Sequence, residues 1–469
     1  NTFLVHSIDR AGRSTRYQRD VLGRVTNQID NATNSVRYGY DVAGNLTDLY
    51  DQNGSRTRFL FDVEGRQIGK VYADGVTNHY SYDALGRLTS KLDGKGVSTT
   101  YRYDAVGNMT NVDYAADADV IFSYDVLNRM TRMVDGVGTT LYAYAGSCGK
   151  VQFVDGPFPS DTVSYGYDAG KRLVAVTSAS SVVNYSYDAL DRFTHVVGRV
   201  GSNAPTTNAY TYIANGRMPD TLTHGNGVLT DYAYDPLIRL TNLVHQSGGT
   251  NLASFGYTYN AADLRTSVTM GGSGAPRTIS YGYDPIGQLT AAQGDFPGYA
   301  FDYAFDPAGN PTRQNNNGFV MSNAFNNLNQ NTTSQWSGAL AVLGLMNETE
   351  GTVTVNGVVA DILAGAAPAT PYFVATNLPV VAGTNTYAAL HTDPLGRTAT
   401  STVSAIARNS GYGYDHNGNL TNDGRFVYVW DNADRLTEVR TLDNSLVMSC
   451  RYDGLGRRRE RIVSPVAGV

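Results

Sequence analysis

The sequence predicts an all-β protein: one long antiparallel sheet of tandem hairpins, with a small β-sandwich inserted near its C-terminal end. Three observations predict this fold class. A motif of two tyrosines and an aspartate recurs every 21 residues, a turn signature follows each copy, and one late stretch has a different composition. Repeats of this length are typical of arrays in which each unit packs on its neighbours.

The motif is clearest from Tyr38 to Thr47, which reads Tyr-Gly-Tyr-Asp-Val-Ala-Gly-Asn-Leu-Thr. Side chains alternate along an extended chain, so Tyr-x-Tyr places both rings on one face. The aspartate can accept a hydrogen bond from the backbone two residues on, and the glycine supplies a positive φ. A type I turn followed by a left-handed residue is a common hairpin connection. Each copy therefore predicts a strand, a turn and the start of the returning strand.

The repeat is regular at first and looser later. The first six aspartates stand at positions 20, 41, 62, 83, 104 and 125, and later copies continue to residue 326 with lengthened turns such as 198–207 and 271–277. A second turn signal lies half a repeat away, at Asp9, Asp30, Asp51, Tyr72, Asp93, Tyr114 and Asp135, with Gly12, Gly54, Gly94 and Gly136 as its glycines. We call the turns of the Tyr-x-Tyr-Asp motif primary turns and the others half-period turns.

The third residue after the aspartate position of the motif, which another residue fills in some copies, tests the turn assignment. It is Gly23, Gly44, Gly65, Gly86, Gly107, Gly216, Gly287, Gly309, Gly418 or Gly456 in ten of 18 copies, and Asn128, Asp191, Asp263, Asn329 or Asp434 in five. Asn and Asp are the other residues that best tolerate the left-handed region. Cys148, Lys171 and Ile238 break the rule, and Ile238 is the weakest copy because a β-branched residue at positive φ is costly.

The residues predicted to carry the fold are the turn and aromatic positions of the clearest copies. The turn positions are Asp41, Gly44, Asp62, Gly65, Asp83, Gly86, Asp104, Gly107, Asp284, Gly287, Asp415 and Gly418. The aromatic positions are Tyr38, Tyr40, Tyr80, Tyr82, Tyr101, Tyr103, Tyr281 and Tyr283. Their in-register spacing predicts aromatic ladders between neighbouring strands. The alternative interpretation is that the tyrosines stack on sugars.

Composition divides the chain into a repeat array at 1–333, an insert at 334–408 and further repeats at 409–469. In the insert tyrosine is rare, and Gly351 to Gly357 alternates before ending in a hairpin-type Asn-Gly. Residues 383–390 and 397–403 predict two more strands. The insert resembles bacterial immunoglobulin-like modules in its Thr-Val-Asn-Gly, Ala-Gly-Thr-Asn-Thr and Asp-Pro-Leu-Gly-Arg-Thr-Ala-Thr segments.

Several function classes lack support in the sequence. A formal charge of −6 does not indicate nucleic-acid binding, and the longest apolar run, 339–346, is too short to span a bilayer. Cys148 and Cys450 lie far apart, and the seven histidines show no metal-ligand spacing. Each turn offers one aspartate rather than the several oxygens that calcium requires. We therefore predict no catalytic, cofactor or metal site, and a protein that is not an enzyme.

The pattern Tyr-x-Tyr-Asp-x-x-Gly-Arg-Leu-Thr is the signature of the YD-repeat, or RHS-repeat, family, which this chain resembles over nearly all of its length outside the insert. The family includes bacterial polymorphic toxins, the shells of insecticidal toxin complexes and the teneurins. The resemblance implies a sheet that spirals into a hollow shell, which in the bacterial members encloses a C-terminal toxic domain. It also implies a secreted or cell-surface location, with the protein's own C-terminal effector, absent from this sequence, as partner.

Strand count gives a scale for such a shell. We count 36 strands, which at about 4.8 Å each make a ribbon of roughly 170 Å, or about 55 Å across if it closed as one ring. The chain starts at Asn1 without a methionine, so we expect it to be a piece of a longer protein. Asp393 to Arg397 superficially resembles the self-cleavage motif of the bacterial shells, but we interpret it as a strand-connecting turn. The alternative function is adhesion, with the insert and exposed tyrosines engaging glycans or cell-surface receptors.

Overall fold

The computed structural model describes residues 5–146, 149–214, 216–272, 274–296, 299–363, 371–407 and 409–464. All regular structure within these ranges is β, in 44 strands. The predicted all-β class is confirmed.

The strands follow one another at short intervals. The first fifteen are β1 His6–Ile8, β2 Ser14–Arg19, β3 Val25–Ile29, β4 Ser35–Tyr40, β5 Leu46–Tyr50, β6 Arg56–Phe61, β7 Gln67–Val71, β8 Thr77–Tyr82, β9 Leu88–Leu92, β10 Ser98–Tyr103, β11 Met109–Tyr114, β12 Val120–Tyr124, β13 Met130–Val134, β14 Thr139–Tyr144 and β15 Val151–Asp155. The next fifteen are β16 Val163–Tyr167, β17 Leu173–Thr177, β18 Ser181–Tyr187, β19 Phe193–Val200, β20 Thr206–Tyr212, β21 Pro219–Thr223, β22 Leu229–Tyr234, β23 Leu240–Ser247, β24 Thr250–Tyr259, β25 Arg265–Gly272, β26 Arg277–Tyr283, β27 Leu289–Gly294, β28 Ala300–Phe305, β29 Pro311–Asn316 and β30 Phe319–Phe325. The last fourteen are β31 Asn331–Leu345, β32 Thr352–Val355, β33 Val358–Val359, β34 Asp361–Leu363, β35 Tyr372–Pro379, β36 Gly383–Thr392, β37 Thr398–Ala407, β38 Ser410–Gly411, β39 Gly413–Tyr414, β40 Leu420–Asn422, β41 Phe426–Trp430, β42 Leu436–Thr441, β43 Leu446–Tyr452 and β44 Arg458–Val463.

Most strands pair antiparallel with the next strand along the chain. Thirty-four strands form one sheet, β39 to β44 form a second, and β33, β32, β36 and β37 form a third in that order. Consecutive hairpins of this kind need only short connections, which explains why a local repeat can build so large a sheet.

The hairpin β8–β9 shows how a primary turn is made. Its strands pair from His79 with Leu92 to Tyr82 with Leu88, and the register shifts by one residue just before the turn. The amide of Gly86 donates to the carbonyl oxygen of Asp83 at 3.0 Å, and Gly86 has a φ of 79°. This is the predicted type I turn with a left-handed residue, and the extra residue forms a bulge that increases strand twist.

Two copies that the sequence predicts to break the turn rule adopt the same turn. Lys171 and Ile238 have φ values of 64° and 63°, and each amide donates to the carbonyl of the residue three before it at 2.9 Å. These two copies keep the turn although their residue types break the rule, because the hydrogen bonds of the turn outweigh local backbone strain. Gly216 is the opposite case: it is a glycine at the predicted position, but its φ lies outside the left-handed region. Cys148 lies outside the described residues.

Two of the four predicted half-period glycines, Gly12 (φ 79°) and Gly54 (φ 84°), take the positive φ, and the other two do not. Gly96 (φ 79°) and Gly138 (φ 145°), rather than Gly94 and Gly136, take the positive φ. In both kinds of turn the left-handed residue lies three positions after the aspartate. A glycine directly after the aspartate therefore does not mark the position of the left-handed residue.

The insert contains two facing sheets. Strand β31 pairs with β30 through Gly338 and with β35 from Ala339 onward, so one strand serves both the array and the insert. Apolar side chains of both sheets share one buried cluster, including Val342, Val353 and Phe373. The boundaries 334–408 and the immunoglobulin-like resemblance stay predictions. Asp393 to Arg397 forms the turn between β36 and β37, which places a primary-type turn inside the insert.

The chain forms two compact units. Unit 1 comprises residues 1–58, 72–75 and 255–413, and unit 2 comprises residues 59–71, 76–254 and 414–469. Each unit therefore combines an early stretch of the array with a late one. Buried apolar clusters occur in both, around Val268 and Ile279 in unit 1 and around Val112 and Met133 in unit 2.

Replacing Ile238 by Asn should stabilise the protein. A β-branched residue at positive φ is strained, while Asn tolerates that region, so the free energy of unfolding should rise by about 1 kcal/mol. Urea denaturation measures it. Leu237→Asn is the matched control, because the neighbouring leucine is equally exposed and its φ is not positive. An equal effect of both substitutions would show that backbone strain is not the cause.

Candidate functional site

In the primary turns that have the motif aspartate, its carboxylate organises the turn around it. In the turn at Asp83, Oδ1 accepts the amides of Leu85 and Arg87, both at 2.9 Å. Its Oδ2 accepts Nε of Arg87 at 2.7 Å. One side chain thus satisfies backbone amides that the hairpin ladder leaves free, and it fixes the direction of the arginine.

That arginine joins one repeat to the next. Arg87 Nη1 donates to the carbonyl oxygen of Asp104 at 3.2 Å, and its guanidinium lies 4.8 Å from the ring centre of Tyr103. The hydroxyl of Tyr103 in turn donates to the carbonyl oxygen of Leu88 at 2.9 Å. A carboxylate, a guanidinium and an aromatic ring therefore form one chain of contacts across two primary turns.

The same contacts recur along the array. The stacked Arg–Tyr pairs are Arg24–Tyr40, Arg66–Tyr82, Arg87–Tyr103, Arg129–Tyr144, Arg172–Tyr187, Arg192–Tyr212 and Arg435–Tyr452. These arginines are not among the residues that the sequence predicts to carry the fold. Their signal is the fixed position four residues after the motif aspartate, which is Arg in many copies and Asn in others.

The predicted turn residues occupy the expected places. Gly44, Gly65, Gly86, Gly107, Gly287 and Gly418 all have positive φ. Asp41, Asp62, Asp83, Asp104, Asp284 and Asp415 each accept the backbone amide four residues on.

The two tyrosines of each motif differ in role. The second one donates its hydroxyl to a backbone carbonyl in the preceding repeat, as Tyr40, Tyr82, Tyr103 and Tyr283 do. Among the first ones, Tyr101 and Tyr281 pack against buried clusters, while Tyr38 and Tyr80 are half-buried. The ring of the second tyrosine repeatedly contacts an arginine of the preceding primary turn. Guanidinium groups therefore alternate with aromatic rings along the array, where the sequence predicts a ladder of aromatic rings alone.

Hydrogen bonding shifts the acidity of the turn carboxylates. The backbone amide of Arg87 is the main cause that lowers the pKa of Asp83, against a smaller opposing effect of burial. Side-chain amides of Asn45 and Asn108 lower the pKa of Asp41 and Asp104 in the same way. Burial raises the pKa of Tyr101.

These shifts predict loss of stability in acid. A carboxyl group whose folded-state pKa is depressed stabilises the fold above its unfolded pKa of about 3.9, and that contribution disappears as pH falls through the folded-state value. The urea midpoint should therefore change little from pH 7 to 5 and fall steeply below about pH 4. Asp83→Asn should lower the midpoint at pH 7 and reduce the acid-dependent loss. A midpoint that rises on acidification would contradict this.

In unit 1, half-period turns contact primary turns at the ends of the strands. Arg10, in the β1–β2 turn, donates to the carbonyl oxygen of Ala261 at 3.1 Å and pairs with Asp263. Asn53 donates to Asp306 at 2.8 Å. Further contacts of this kind join Asn31 to Pro285, Asn329 to Asp51 and Asn327 to Ala73. Half-period turns of early strands thus bind primary turns of late strands, and we call this set of contacts the seam.

Unit 2 has a seam of the same construction. Asn417 Nδ2 donates to Asp93 Oδ2 at 2.7 Å and to Asp434 Oδ1 at 2.8 Å, and Lys95 Nζ lies 3.0 Å from the same Asp434 oxygen. Backbone amides also donate, as that of Gly454 does to Asp135 at 2.7 Å. Other contacts join Asn432 to Asp117, Arg457 to Tyr142 and Arg459 to Asp161.

Close approach at the seam explains Gly94. A Cβ at this position would lie 2.6 Å from the carbonyl oxygen of His416 and 2.5 Å from a methyl carbon of Val76. Its φ is not in the left-handed region, so packing rather than backbone conformation requires the glycine. The predicted turn glycine therefore serves the seam.

One interval recurs among the seam contacts along the ribbon, and the contacts of Asn329 with Asp51 and of Lys95 with Asp434 lie two strands beyond it. In unit 1 the β1–β2 turn meets the β24–β25 turn, and the β7–β8 turn meets the β30–β31 turn, an interval of 23 strands in both cases. In unit 2 the β13–β14 turn meets the β43–β44 turn, 30 strands later. Six of those 30 strands belong to the insert, and the break between β38 and β39 adds one, which again leaves 23. The insert therefore does not change the interval.

Exposure separates seam turns from free turns. In the primary turns between Asp20 and Asp235 the first two residues after the aspartate are exposed wherever they are described, including large apolar ones such as Val63 (98%) and Leu85 (76%). In the primary turns that take part in the seam, one of those two residues is half-buried, as Ile286 and Leu328 are. Primary turns are thus partly covered in the late part of the chain and exposed in the early part.

Other polar groups have local partners. Thr230 lies between His224 and His245, with its hydroxyl 2.9 Å from a ring nitrogen of each. Cys450 is a buried free thiol. Within the described ranges no group of three or more His, Cys, Asp or Glu side chains is placed to hold a metal ion, and no helix is long and apolar enough to cross a membrane.

The fold and its contacts define a class of protein: a long antiparallel sheet of hairpin repeats in which, within each unit, late turns contact early turns. A family model described as Teneurin YD-shell matches residues 67–202, and one described as RHS Repeat matches residues 20–51 and 40–77. The predicted resemblance to the YD/RHS-repeat family is thereby confirmed over this part of the chain. Neither model covers the insert.

Solved structures show the same fold over almost the whole chain. A crystal structure titled TcdB2-TccC3-Cdc42 has a TM-score of 0.62 at 15% identity, and covers 97% of this chain and 26% of that one. A structure of TcdB2-TccC3 without its hypervariable C-terminal region gives 0.61 at 15% identity, over 98% and 26%. A Photorhabdus luminescens Tc holotoxin pore gives 0.52 at 14% identity, over 97% and 28%. No curated protein sequence matches.

Replacing Asn417 by Asp should weaken the seam of unit 2. The substitution puts a carboxylate where an amide now donates to Asp93 and Asp434, so attraction becomes repulsion. We expect a loss of roughly 1–3 kcal/mol in the free energy of unfolding near pH 7, which shrinks below about pH 4 as the carboxyl groups protonate.

Asn226→Asp is the matched control for that substitution. Asn226 is an exposed residue of a half-period turn in the same unit, and its Oδ1 accepts the amide of Val228 at 3.1 Å, which an aspartate can also do. Denaturation of both variants between pH 3 and pH 7 separates the two. A similar small effect of both would mean that the contacts of Asn417 contribute little.

Proposed function

We propose that this chain is a structural, non-enzymatic segment of a secreted or cell-surface RHS-type protein, and that its ribbon surrounds a C-terminal effector that lies outside the chain. The observation that carries the proposal is the seam. A β-ribbon whose edge binds its own edge every 23 strands forms a continuous wall, because neither turn rim is left free where the contacts are made.

The interval of the seam gives a shorter ribbon for each turn of the wall than the single ring expected from the strand count. One interval of 23 strands corresponds to roughly 110 Å of ribbon at about 4.8 Å per strand, against roughly 170 Å for a single ring of 36 strands. The ribbon of this chain therefore continues past one interval, and its late primary turns cover its early half-period turns.

The uncovered early primary turns support a role as one segment of a larger wall. They carry the apolar residues and the aspartates of the covered turns, and the chain spans only about a quarter of the length of the solved proteins that share its fold. We propose that further repeats of the parent protein cover this rim.

The effector proposal is tested by proteolysis of the full-length parent protein. Segments downstream of residue 469 should be cleaved by trypsin at least tenfold more slowly while the array is folded than after urea unfolds it at the same neutral pH. Asn417→Asp should shorten this protection at neutral pH, and Asn226→Asp should leave it unchanged. Downstream segments that are cut at the same rate in every variant would rule out enclosure while leaving the fold intact.

A further inference from the structure

The insert has an inner surface that its own sheets leave partly open. Ser401 pairs across strands with Ala389, and Val403 pairs with Tyr387, so these β37 side chains share the face of the buried Tyr387. In a two-layer sandwich such positions are normally buried. Val403 is nevertheless 51% exposed, and Ala399 and Ser401 are also exposed.

Small side chains on β37 create a cleft there. Ala399 and Ser401 do not fill the space above the other sheet, and a cavity of about 230 Å³ lies between them and the buried side chains of Met346, Val353 and Phe373. The floor of the cleft is apolar, because these three residues belong to the buried core of the insert. A site of this kind accepts an aliphatic or aromatic group.

Two hydrogen-bond acceptors stand at the rim of the cleft. The Nε2 atom of His391 lies 3.0 Å from the carbonyl oxygen of Glu350, so in its neutral form the ring donates there and leaves Nδ1 as an acceptor. That Nδ1 is 3.7 Å from Oε1 of Glu348, whose side chain is 52% exposed. A carboxylate oxygen and an imidazole nitrogen at this separation can both accept from one ammonium group.

We propose that this cleft binds organic ammonium ions with an apolar body, the apolar part on Phe373 and Met346 and the ammonium group between Glu348 and His391. The rim is acidic, since Glu350 lies beside Glu348 in the same connection between β31 and β32. A ligand with a carboxylate at the same position would face like charge. The inference concerns the insert alone and does not depend on the proposed role of the array.

The test is a ligand-observed NMR titration of the intact chain with three probes of one size: 2-phenylethylamine, 2-phenylethanol and 3-phenylpropanoate. The amine should bind at least tenfold more tightly than the alcohol or the acid, with a dissociation constant in the millimolar range expected for so small a ligand. Glu348→Gln should weaken the amine about tenfold and leave the alcohol unchanged.

A filling variant locates the site. Ser401→Trp should abolish binding of the amine, whereas Thr402→Trp, on the opposite face of the same strand, should leave it intact. Both positions are exposed, and circular dichroism checks that each variant is folded. Equal binding of amine and acid, retained binding in Ser401→Trp, or no binding of the amine at about 10 mM would each overturn the proposal.

Discussion

The carboxylate of the motif aspartate, which most primary turns contain, is the constraint on which the rest of this structure depends. A hairpin of five- to seven-residue strands has few hydrogen bonds, and its turn leaves backbone amides unpaired. The motif aspartate accepts those amides and holds the arginine four residues on. Because the arginine then contacts the next repeat, a local turn also fixes the spacing and direction of its neighbour. Repetition of this contact from one repeat to the next extends the sheet.

Regular growth also explains the seam. When each pair of strands adds the same displacement, late primary turns return to early half-period turns at one interval, here 23 strands in both units. The interval is unaffected by the insert, since β31 and β38 pair directly and the array resumes where it stopped. The insert can therefore be carried without disturbing the contacts of the ribbon.

The sequence was sufficient for features that depend on neighbours in the chain. Strand, turn and repeat follow from Tyr-x-Tyr-Asp and its glycine, because hairpins are local. Lys171 and Ile238 keep the turn although neither residue type favours a positive φ, because the hydrogen bonds of the turn outweigh that preference. The seam left no local signal: Asn53 and Asn329 are 276 residues apart, and Asp93 looks like any turn aspartate until its partner Asn417 is known. The cleft of the insert depends on how far one sheet covers the other, which composition does not encode.

Cross-linking across the seam tests the central claim that late primary turns bind early half-period turns. In a chain with Cys148 and Cys450 replaced by serine, cysteines at positions 53 and 329 should join rapidly through a thiol-reactive linker of about 10 Å, since the two side chains are 3.3 Å apart. Cysteines at 53 and 263 should not join, because the primary turn at 263 lies six strands, or roughly 29 Å, from that at 329. Equal joining of both pairs, or of neither, would contradict the account.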